Sequence, residues 1–308
     1  MKIRIGTRGS RLALWQAYYV QDRLEAGGLE TEIVTIETRG DKKLDVAISK
    51  IGSKGVFTEE IEDQLRAATI DIAVHSAKDM QSELPDGFKL VAFTEREDVH
   101  DVLVSHNGEL TFDPQRPITI GTSSTRRVAL LKHFYPEMKT VDIRGNLQTR
   151  IRKMEGGLCD AILLAYAGVH RMEYDHMIRH RMPLAEFIPA VGQGSVAIEV
   201  STSLPEDKKQ ALRQYLNHEP TEKRLLAERA YLRKLQGGCS IPVFGLAEHT
   251  ENGNLKLEGG IVSLAGDELV RLRVDGPADE AEALGYKLGA KVLEAGGDRI
   301  LKEIRQQI

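Results

Sequence analysis

Arginine is the residue type whose placement in this chain first suggests chemistry. In open α/β sheets the carboxyl ends of strands face the ligand crevice, and helix N-termini add a positive partial charge. Several arginines follow predicted strands or begin predicted helices, namely Arg8, Arg11, Arg126, Arg127, Arg144 and Arg150, and two of them come just after the hydroxyl-bearing run Thr122-Ser123-Ser124. A single arginine of this kind is more often part of a solvated ion pair, but the set favours a ligand. Because a guanidinium binds a carboxylate through two parallel hydrogen bonds, that ligand is expected to carry several carboxylates.

An aspartate follows a short apolar strand in the segment His75-Ser76-Ala77-Lys78-Asp79. A carboxylate beside a lysine at a strand end can orient a substrate N–H or stabilise a cationic intermediate. An aspartate that caps a helix N-terminus is an equally good interpretation. The residues alone leave both open.

The segment Gly237-Gly238-Cys239-Ser240 follows a predicted helix, and its glycines leave the thiol accessible. An accessible cysteine is a candidate nucleophile, but no histidine lies beside it in sequence to support a Cys–His protease dyad. Cys159 precedes an apolar strand and is predicted to be a buried structural residue.

Two lysines, Lys50 and Lys54, flank a loop that contains Gly52 and Gly55. A mobile basic flap and a plain surface loop fit this spacing equally well, and the P-loop pattern is absent. The histidines lack paired spacing, so no metal is expected. The run Gly192-Gln193-Gly194 is too short for a dinucleotide fingerprint.

Composition limits the class of protein. The chain has 308 residues, of which 41% are hydrophobic and 29% charged, so two or three ordinary globular domains are expected. A net charge of −4 argues weakly against a protein devoted to nucleic acid. Two cysteines, no signal-peptide pattern and no apolar run approaching the ~20 residues of a membrane span predict a cytoplasmic protein without a membrane anchor.

The elements that must position these residues alternate between strand and helix. Strands are predicted at 2–6, 32–38 and 70–75, with helices from Ser10 and over 58–68; a second set has strands at 101–105, 118–121, 140–143 and 161–165, with helices over 124–134 and 146–155. This order predicts mixed or parallel sheets. Helices are also predicted over 206–217 and 221–235, then a small antiparallel sheet of three segments over 243–274, then a helix over 278–306 interrupted by Gly296-Gly297.

A series of motifs along the chain carries a resemblance to a known family. They are Thr7-Arg8-Gly9-Ser10-Arg11-Leu12-Ala13-Leu14-Trp15-Gln16, Thr38-Arg39-Gly40-Asp41, Gly55-Val56-Phe57, His75-Ser76-Ala77-Lys78-Asp79, Gly121-Thr122-Ser123-Ser124-Thr125-Arg126-Arg127, Arg144-Gly145-Asn146, Pro189-Ala190-Val191-Gly192-Gln193-Gly194 and Gly237-Gly238-Cys239. In number and order they resemble the hydroxymethylbilane synthase (porphobilinogen deaminase) family from Ile5 to the C-terminal helices.

The resemblance implies a fold and a division into domains. Two similar α/β domains, like those of type II periplasmic binding proteins, are expected around a cleft, with a smaller C-terminal α/β domain that has a three-stranded antiparallel sheet. Domain 1 is expected over 1–97 with 195–217 returning to it, domain 2 over 98–194, and domain 3, which carries the cofactor-attachment loop, over 218–308.

The resemblance also implies an activity in porphyrin and haem biosynthesis. A dipyrromethane cofactor is expected on Cys239 through a thioether. The enzyme would add four porphobilinogen units head to tail, release ammonia each time, and free hydroxymethylbilane by hydrolysis. The product would pass to uroporphyrinogen-III synthase, and the chain would act as a cytoplasmic monomer.

Individual roles follow from the matching positions. Asp79 corresponds to the catalytic aspartate, which would hold pyrrole N–H groups, help to protonate the departing amine and stabilise the azafulvene cation. The cofactor- and substrate-binding positions are Arg8, Ser10, Lys50, Lys54, Phe57, Ser76, Lys78, Thr122, Ser123, Ser124, Arg126, Arg127, Arg144, Gly145, Arg150, Arg171 and Gln193. One departure is Met80-Gln81, where the family often has Val-Pro, and it is expected to loosen the following loop without abolishing activity.

Two other functions are compatible with the same residues. A non-enzymatic binding protein for an organic anion would use a similar cleft, although no export signal is seen. A single-strand nucleic-acid binder would use the arginines, but an aromatic content of 5% leaves few stacking platforms.

Overall fold

The computed structural model describes residues 1–38, 58–238 and 240–307. The chain divides into two compact units, one made of Met1–Glu97 and Gly194–Lys223, the other of Asp98–Gln193 and Arg224–Ile308. The division into three domains at the boundaries given above stays a prediction. In the described ranges no helix is both long and apolar enough to cross a membrane.

Strands and helices alternate through most of the chain. The strands of the described residues are β1 Lys2–Arg8, β2 Glu30–Ile36, β3 Ile72–Ser76, β4 Phe88–Phe93, β5 Asp101–Val104, β6 Thr119–Gly121, β7 Lys139–Val141, β8 Ala161–Ala165, β9 Ile178–Arg181, β10 Val196–Ser201, β11 Val243–His249, β12 Asn254–Val262 and β13 Leu269–Pro277. The helices are α1 Arg11–Ala26, α2 Glu59–Arg66, α3 Thr125–Phe134, α4 Leu147–Glu155, α5 Tyr166–Arg171, α6 Glu206–Leu216, α7 Glu219–Leu235, α8 Ala281–Val292 and α9 Asp298–Gln307.

The first unit contains a five-stranded sheet in the order β2-β1-β3-β10-β4. The first three strands are parallel, with Ile5 opposite both Ile33 and Ile72, and β10 runs antiparallel to its two neighbours. Buried aliphatic side chains of the sheet, such as Ile3 and Val196, pack with Val20 and Leu24 of α1. Burial of this apolar surface is the main force that holds α1 against the strands.

The second unit contains a five-stranded sheet in the order β7-β6-β8-β5-β9 and a three-stranded antiparallel sheet in the order β11-β12-β13. In the larger sheet β6 is parallel to β7 and β8, whereas β5 is antiparallel to β8 and β9. The two five-stranded sheets therefore share one topology. Phe244 of β11 packs in one core with Leu103 of β5, Leu130 of α3 and Phe187, so the two sheets of this unit share apolar contacts.

The predicted α/β fold class and the C-terminal three-stranded antiparallel sheet are confirmed. The predicted helix break near Gly296-Gly297 is confirmed too, because Gly296 has φ +109°, a left-handed value that favours glycine. The helix predicted over 221–235 begins two residues earlier, because α7 starts at Glu219. Pro220 fits the first turn, since its missing N–H would have no helical partner there.

Candidate active site

Two neighbouring strands of the first unit end at one edge of its sheet, and predicted site residues follow both. β1 ends at Arg8 and β3 ends at Ser76, and the two strands are parallel. Just after β1, the amide N–H of Ala13 donates to Ser10 Oγ over 3.3 Å, so Ser10 is the N-cap of α1 as predicted. The guanidinium of Arg8 is half-buried and comes just before the N-terminus of α1, which carries a positive partial charge. This position suits an anionic ligand.

Asp79 lies on a single 3₁₀ turn, Ala77–Asp79, directly after β3. The backbone N–H of Ala77 donates to the carbonyl of Ser195 over 2.9 Å. This bond joins the turn to the residue just before β10, which is the neighbour of β3 in the sheet. Asp79 ends the turn, so it is not the N-cap of a helix. Its side chain is exposed and makes no hydrogen bond or ion pair with the residues that the structure describes.

The hydroxyl of Ser76 accepts a hydrogen bond from Gln16, which was not among the predicted site residues. Gln16 Nε2 donates to Ser76 Oγ over 2.9 Å, and the Gln16 side chain is buried. This bond joins α1 to the end of β3. A polar residue on the buried face of a predicted helix is the signal that could have found it, because such a group needs a partner.

Met80 and Gln81 stand where the family often has Val-Pro, and both side chains contact other residues of the first unit. The Met80 side chain is buried, and its backbone has φ −74° and ψ 138°, a conformation that a residue before proline also adopts. Gln81 Nε2 donates to Thr58 Oγ1 over 3.3 Å. The backbone at Met80 is thus the same kind that an X-Pro pair requires, and the glutamine adds a side-chain contact that proline lacks.

In the second unit, the predicted hydroxyl residues connect the ends of β6 and β7. Ser123 Oγ donates to the carbonyl of Ile143 over 2.6 Å and accepts from the backbone N–H of the same residue over 3.1 Å. Ser124 is the N-cap of α3, with its Oγ accepting from the backbone N–H of Arg127. The N–H of Ser124 in turn donates to Thr122 Oγ1 over 3.3 Å. These hydroxyls fix the loop that begins the arginine-bearing helix.

Arg126 and Arg127 converge on one carboxylate, that of Asp101 at the start of β5. Arg126 Nη2 donates to Asp101 Oδ2 over 2.7 Å, and Arg127 donates to Asp101 Oδ1 through Nη2 over 2.7 Å and through Nε over 3.1 Å. All three side chains are buried. Burial disfavours the charged form of Asp101, but the two guanidiniums outweigh it and hold the pKa of this carboxyl well below its usual range.

Asp101 was counted in the sequence analysis only as the first residue of a strand. A charged residue that begins a run of apolar strand residues is a signal, since a buried carboxylate needs a cation. Its partners lie 25 and 26 residues further along the chain, so local pattern could not name them.

Gln193 is buried next to this group. Its Nε2 donates to the carbonyl of Val99 over 2.7 Å and to Asp101 Oδ1 over 3.0 Å. Arg171 is half-buried at the last residue of α5. The structure thus brings Gln193 together with Arg126 and Arg127 through a shared carboxylate.

Arg144, Gly145 and Arg150 form a second predicted group around the start of α4. Arg144 Nε donates to Asp142 Oδ2 over 2.9 Å, and Arg150 Nε donates to the carbonyl of Gly145 over 2.8 Å. Burial raises the pKa of Asp142, but its contacts with Ser123 and Arg144 outweigh it and lower the pKa. Gly145 has φ +110°, and a Cβ there would lie 2.7 Å from Thr149 Cγ2, so both conformation and space require glycine.

Four predicted site residues, Lys50, Lys54, Phe57 and Cys239, lie outside the described residues. The other cysteine, Cys159, is a buried free thiol, and burial raises its pKa. A raised thiol pKa disfavours the thiolate, which agrees with the predicted structural role. Within the described ranges, no three or more His, Cys, Asp or Glu side chains are grouped to hold a metal ion.

Comparison with known proteins covers almost the whole chain. Residues 3–209 match the family model described as porphobilinogen deaminase, dipyromethane cofactor binding domain, and residues 223–294 match that of the porphobilinogen deaminase C-terminal domain. The porphobilinogen deaminase of Desulfosudis oleivorans is 56% identical over 308 residues, covering 100% of this chain and 99% of that protein. That of Cytophaga hutchinsonii is 57% identical over 304 residues, covering 99% and 97%.

Solved structures match the chain at much lower sequence identity. The second substrate-binding domain of a putative amino acid ABC transporter from Streptococcus pneumoniae is 12% identical, with a TM-score of 0.43, over 76% of this chain and 94% of that one.

These findings identify the chain as a transferase of tetrapyrrole biosynthesis. It belongs to the porphobilinogen deaminase family, whose members are also called hydroxymethylbilane synthases. The family condenses four porphobilinogen molecules head to tail onto a dipyrromethane primer with loss of ammonia, then releases hydroxymethylbilane by hydrolysis. The predicted family, activity and cofactor are confirmed.

The donor groups of the structure fit a dipyrromethane. Its two pyrroles carry acetate and propionate groups, which need N–H and O–H donors. Each unit by itself carries cationic side chains of a type suited to carboxylates. They are Arg8 and Lys78 at the strand ends of the first unit, and Arg144 and Arg150 around the start of α4 in the second. Arginine is suited to this task because its planar fork matches a carboxylate.

Proposed function

We propose that Asp79 is the catalytic residue of this member of the porphobilinogen deaminase family. The observation that carries this role is the exposed Asp79 carboxylate at the end of an anchored turn, without an ionic partner among the described residues. A carboxylate so placed can accept hydrogen bonds from pyrrole N–H groups and can carry the proton that the departing amine needs. The lysine before it in the chain, Lys78, contributes positive charge next to the reacting groups.

Cys239 is the attachment point of the dipyrromethane through a thioether bond. Matching family position and the inaccessibility of the other cysteine support this choice, since the Cys159 thiol is buried. When bound, the dipyrromethane supplies an electron-rich pyrrole carbon to which the next unit is joined. Cys239 is then a permanent anchor and not a nucleophile that turns over in each cycle.

In the first unit, Arg8, Ser10, Ser76 and Lys78 bind carboxylates of the cofactor or substrate. Support comes from their position at the carboxyl ends of two parallel neighbouring strands, at the N-terminus of α1 and on the Asp79 turn. The N-terminal end of a helix and the cationic side chains favour the same sign of ligand charge.

In the second unit, a larger set of residues binds carboxylates. Each porphobilinogen brings an acetate and a propionate, so the growing chain gains two negative charges at every addition. Cations and hydroxyls at the ends of β6, β7 and β8 suit this need. The residues assigned to this binding are Thr122, Ser123, Ser124, Arg126, Arg127, Arg144, Gly145, Arg150, Arg171 and Gln193.

The remaining assignments rest on the family positions. Lys50, Lys54 and Phe57 bind or cover the substrate from the loop that contains them. The domains are 1–97 with 195–217, 98–194 and 218–308, and the gap between the two matched family regions, which end at 209 and begin at 223, supports the last boundary.

The enzyme acts as a cytoplasmic monomer that delivers hydroxymethylbilane to uroporphyrinogen-III synthase. A chain with only two cysteines suits a reducing compartment. Analytical ultracentrifugation tests the monomer, and a stable dimer at micromolar concentration would contradict it. Formation of the closed macrocycle when the purified synthase is added tests the delivery, and no consumption of the linear product would contradict it.

The test of the catalytic assignment is Asp79→Asn, which keeps the size of the side chain and removes the proton-carrying group. Because a positioned acid or base contributes typically 10²–10⁴-fold, kcat is expected to fall by about 100-fold or more with the fold unchanged. Asp86→Asn, at an exposed aspartate in the same unit, is the matched control and is expected to turn over normally. Undiminished turnover of Asp79→Asn would contradict the assignment.

A further inference from the structure

The buried group around Asp101 has an unusual charge composition. Within the described residues, the two guanidiniums of Arg126 and Arg127 have one carboxylate as ionic partner, that of Asp101. Two cations and one anion leave a net positive charge in a buried place. Burying charge is expensive, and an apolar group of the same volume would often stabilise the fold as well. Stability alone therefore does not explain this arrangement.

Both guanidiniums are held in one orientation. Arg127 Nη1 donates to the carbonyl of Leu163 over 3.0 Å, and Arg126 Nη1 donates to the carbonyl of Ile188 over 2.8 Å. These bonds, added to those with Asp101, hold each planar guanidinium at two or three of its nitrogens. Side chains locked in this way lose little freedom when a ligand arrives, so they bind it more tightly.

Arg126 and Arg127 each have N–H groups that these hydrogen bonds do not use. A guanidinium has five N–H groups, and the hydrogen bonds described here use two of those of Arg126 and three of those of Arg127. The Nε of Arg126 is buried and has no hydrogen-bond partner among the described residues. A further anion would thus find both unused donors and uncompensated positive charge.

We propose that Asp101 is a positioning residue for carboxylate recognition, which holds Arg126 and Arg127 in the orientation that receives a carboxylate of the cofactor or the growing chain. Gln193 supports the same role. Its Nε2 donates hydrogen bonds to Asp101 Oδ1 and to the carbonyl of Val99, and these bonds fix the position of Asp101. The inference rests on the proposed carboxylate-binding role of the two arginines and adds the residue that sets their geometry.

The variant that tests this is Asp101→Asn, which keeps the volume and removes the negative charge. An asparagine also points an NH₂ group at one guanidinium, so the arginines must reorient. Since a misplacement of about 1 Å can cost on the order of 100-fold, kcat/KM for porphobilinogen is expected to fall by about 10- to 100-fold, mainly through KM. Intact mass measured beforehand selects protein that carries the cofactor, so that a loading defect is not counted as a binding defect.

A double-mutant cycle separates positioning from simple loss of stability. If Asp101 acts through Arg127, Arg127→Lys and Asp101→Asn together are expected to raise KM little more than Arg127→Lys alone. Fully additive effects on KM would overturn the proposal. So would an Asp101→Asn protein that is less stable but has KM within 2-fold of the parent.

A milder variant keeps the proposal testable if Asp101→Asn does not fold. Gln193→Met preserves the length of the side chain and removes the N–H that reaches Asp101, so KM is expected to rise by roughly 3- to 10-fold with kcat nearly kept. Gln115→Met, at an exposed glutamine of the same unit, is the matched control. An unchanged KM in Gln193→Met would overturn the proposal. These assays use wild-type Asp79, so their failure is distinguishable from failure of the catalytic assignment.

Discussion

His75 Nε2 and Glu199 Oε2 form a buried hydrogen bond of 3.0 Å between β3 and β10, and His75 comes four residues before Asp79 in the chain. The bond joins the strand that precedes the Asp79 turn to its antiparallel neighbour. A buried imidazole left without a partner costs about 1–3 kcal/mol. The pair therefore stabilises β3, the strand that leads directly into the turn with Asp79.

Replacement of Glu199 by leucine is expected to lower the free energy of unfolding by about 1–3 kcal/mol, because the imidazole loses its partner. Urea unfolding measures this change. Glu199→Gln is the matched control, since its amide oxygen can still accept a hydrogen bond, and it is expected to lose clearly less. Equal losses in the two variants would show that the hydrogen bond to His75 is not the source of the effect.

Glu62 gives a dependence of stability on pH. Burial raises its pKa above the ordinary value of 4.5, while a hydrogen bond with Thr58 opposes the rise only in part. The folded state then binds the proton more tightly than the unfolded state, so this group lowers stability as pH rises above 4.5. Glu62→Gln is expected to raise the melting temperature at pH 8 and to leave it unchanged below pH 4.5.

Glu59→Gln serves as the control for this pH effect, because Glu59 is exposed on the same helix. A Glu62→Gln protein that is no more stable than the parent at pH 8 would show that ionised Glu62 is not a cost to the fold.

Asp101 is expected to give the opposite dependence of stability on pH. Its pKa is depressed in the folded state, so its contribution to stability is present above the ordinary value of 3.8 and is lost as pH falls further. The difference in unfolding free energy between the parent and Asp101→Asn is expected to be large at pH 7 and to shrink below pH 3.8. A difference that stays constant across this range would mean that the Asp101 charge does not stabilise the fold.

Gly145 is expected to be required for the Arg150 contact. An alanine there is strained by φ +110° and clashes with Thr149, at a cost of about 1–3 kcal/mol, and it displaces the carbonyl that accepts from Arg150 Nε. Gly145→Ala is therefore expected to raise KM as well as to lower stability. Gly157→Ala is the matched control, since Gly157 has φ +86° and no atom within 4 Å of an added Cβ. A rise in KM shared by both variants would contradict this account.

Local pattern was enough to predict the elements whose signals lie within a few residues. Ser10 and Ser124 were predicted to begin helices because a hydroxyl before an apolar run caps the first turn, and both side chains accept from first-turn N–H groups. The bounds moved by a few residues, as for β2, predicted over 32–38 and found at Glu30–Ile36. Strands β1 and β6 were predicted from their alternating pattern, and the candidate site residues lie at those strand ends; their roles stay predictions.

Relationships between distant segments could not be predicted from local pattern. β10 pairs with β3 and β4, which lie more than a hundred residues before it, and no signal near Val196 indicates that pairing. In the same way Gln193 and Asp101 are 92 residues apart and meet only because the chain folds back. Strand pairing and buried ion pairs depend on tertiary contacts, so composition and spacing leave them undetermined.

Intact mass spectrometry of the purified protein and of Cys239→Ser tests the central claim most directly. The parent and the Cys159→Ser control are expected to exceed their sequence masses by two linked pyrroles, and Cys239→Ser is expected to have its sequence mass and to be inactive. Addition of porphobilinogen should then increase the mass of the parent stepwise. A Cys239→Ser protein that keeps the adduct or turns over at the parent rate would contradict the account.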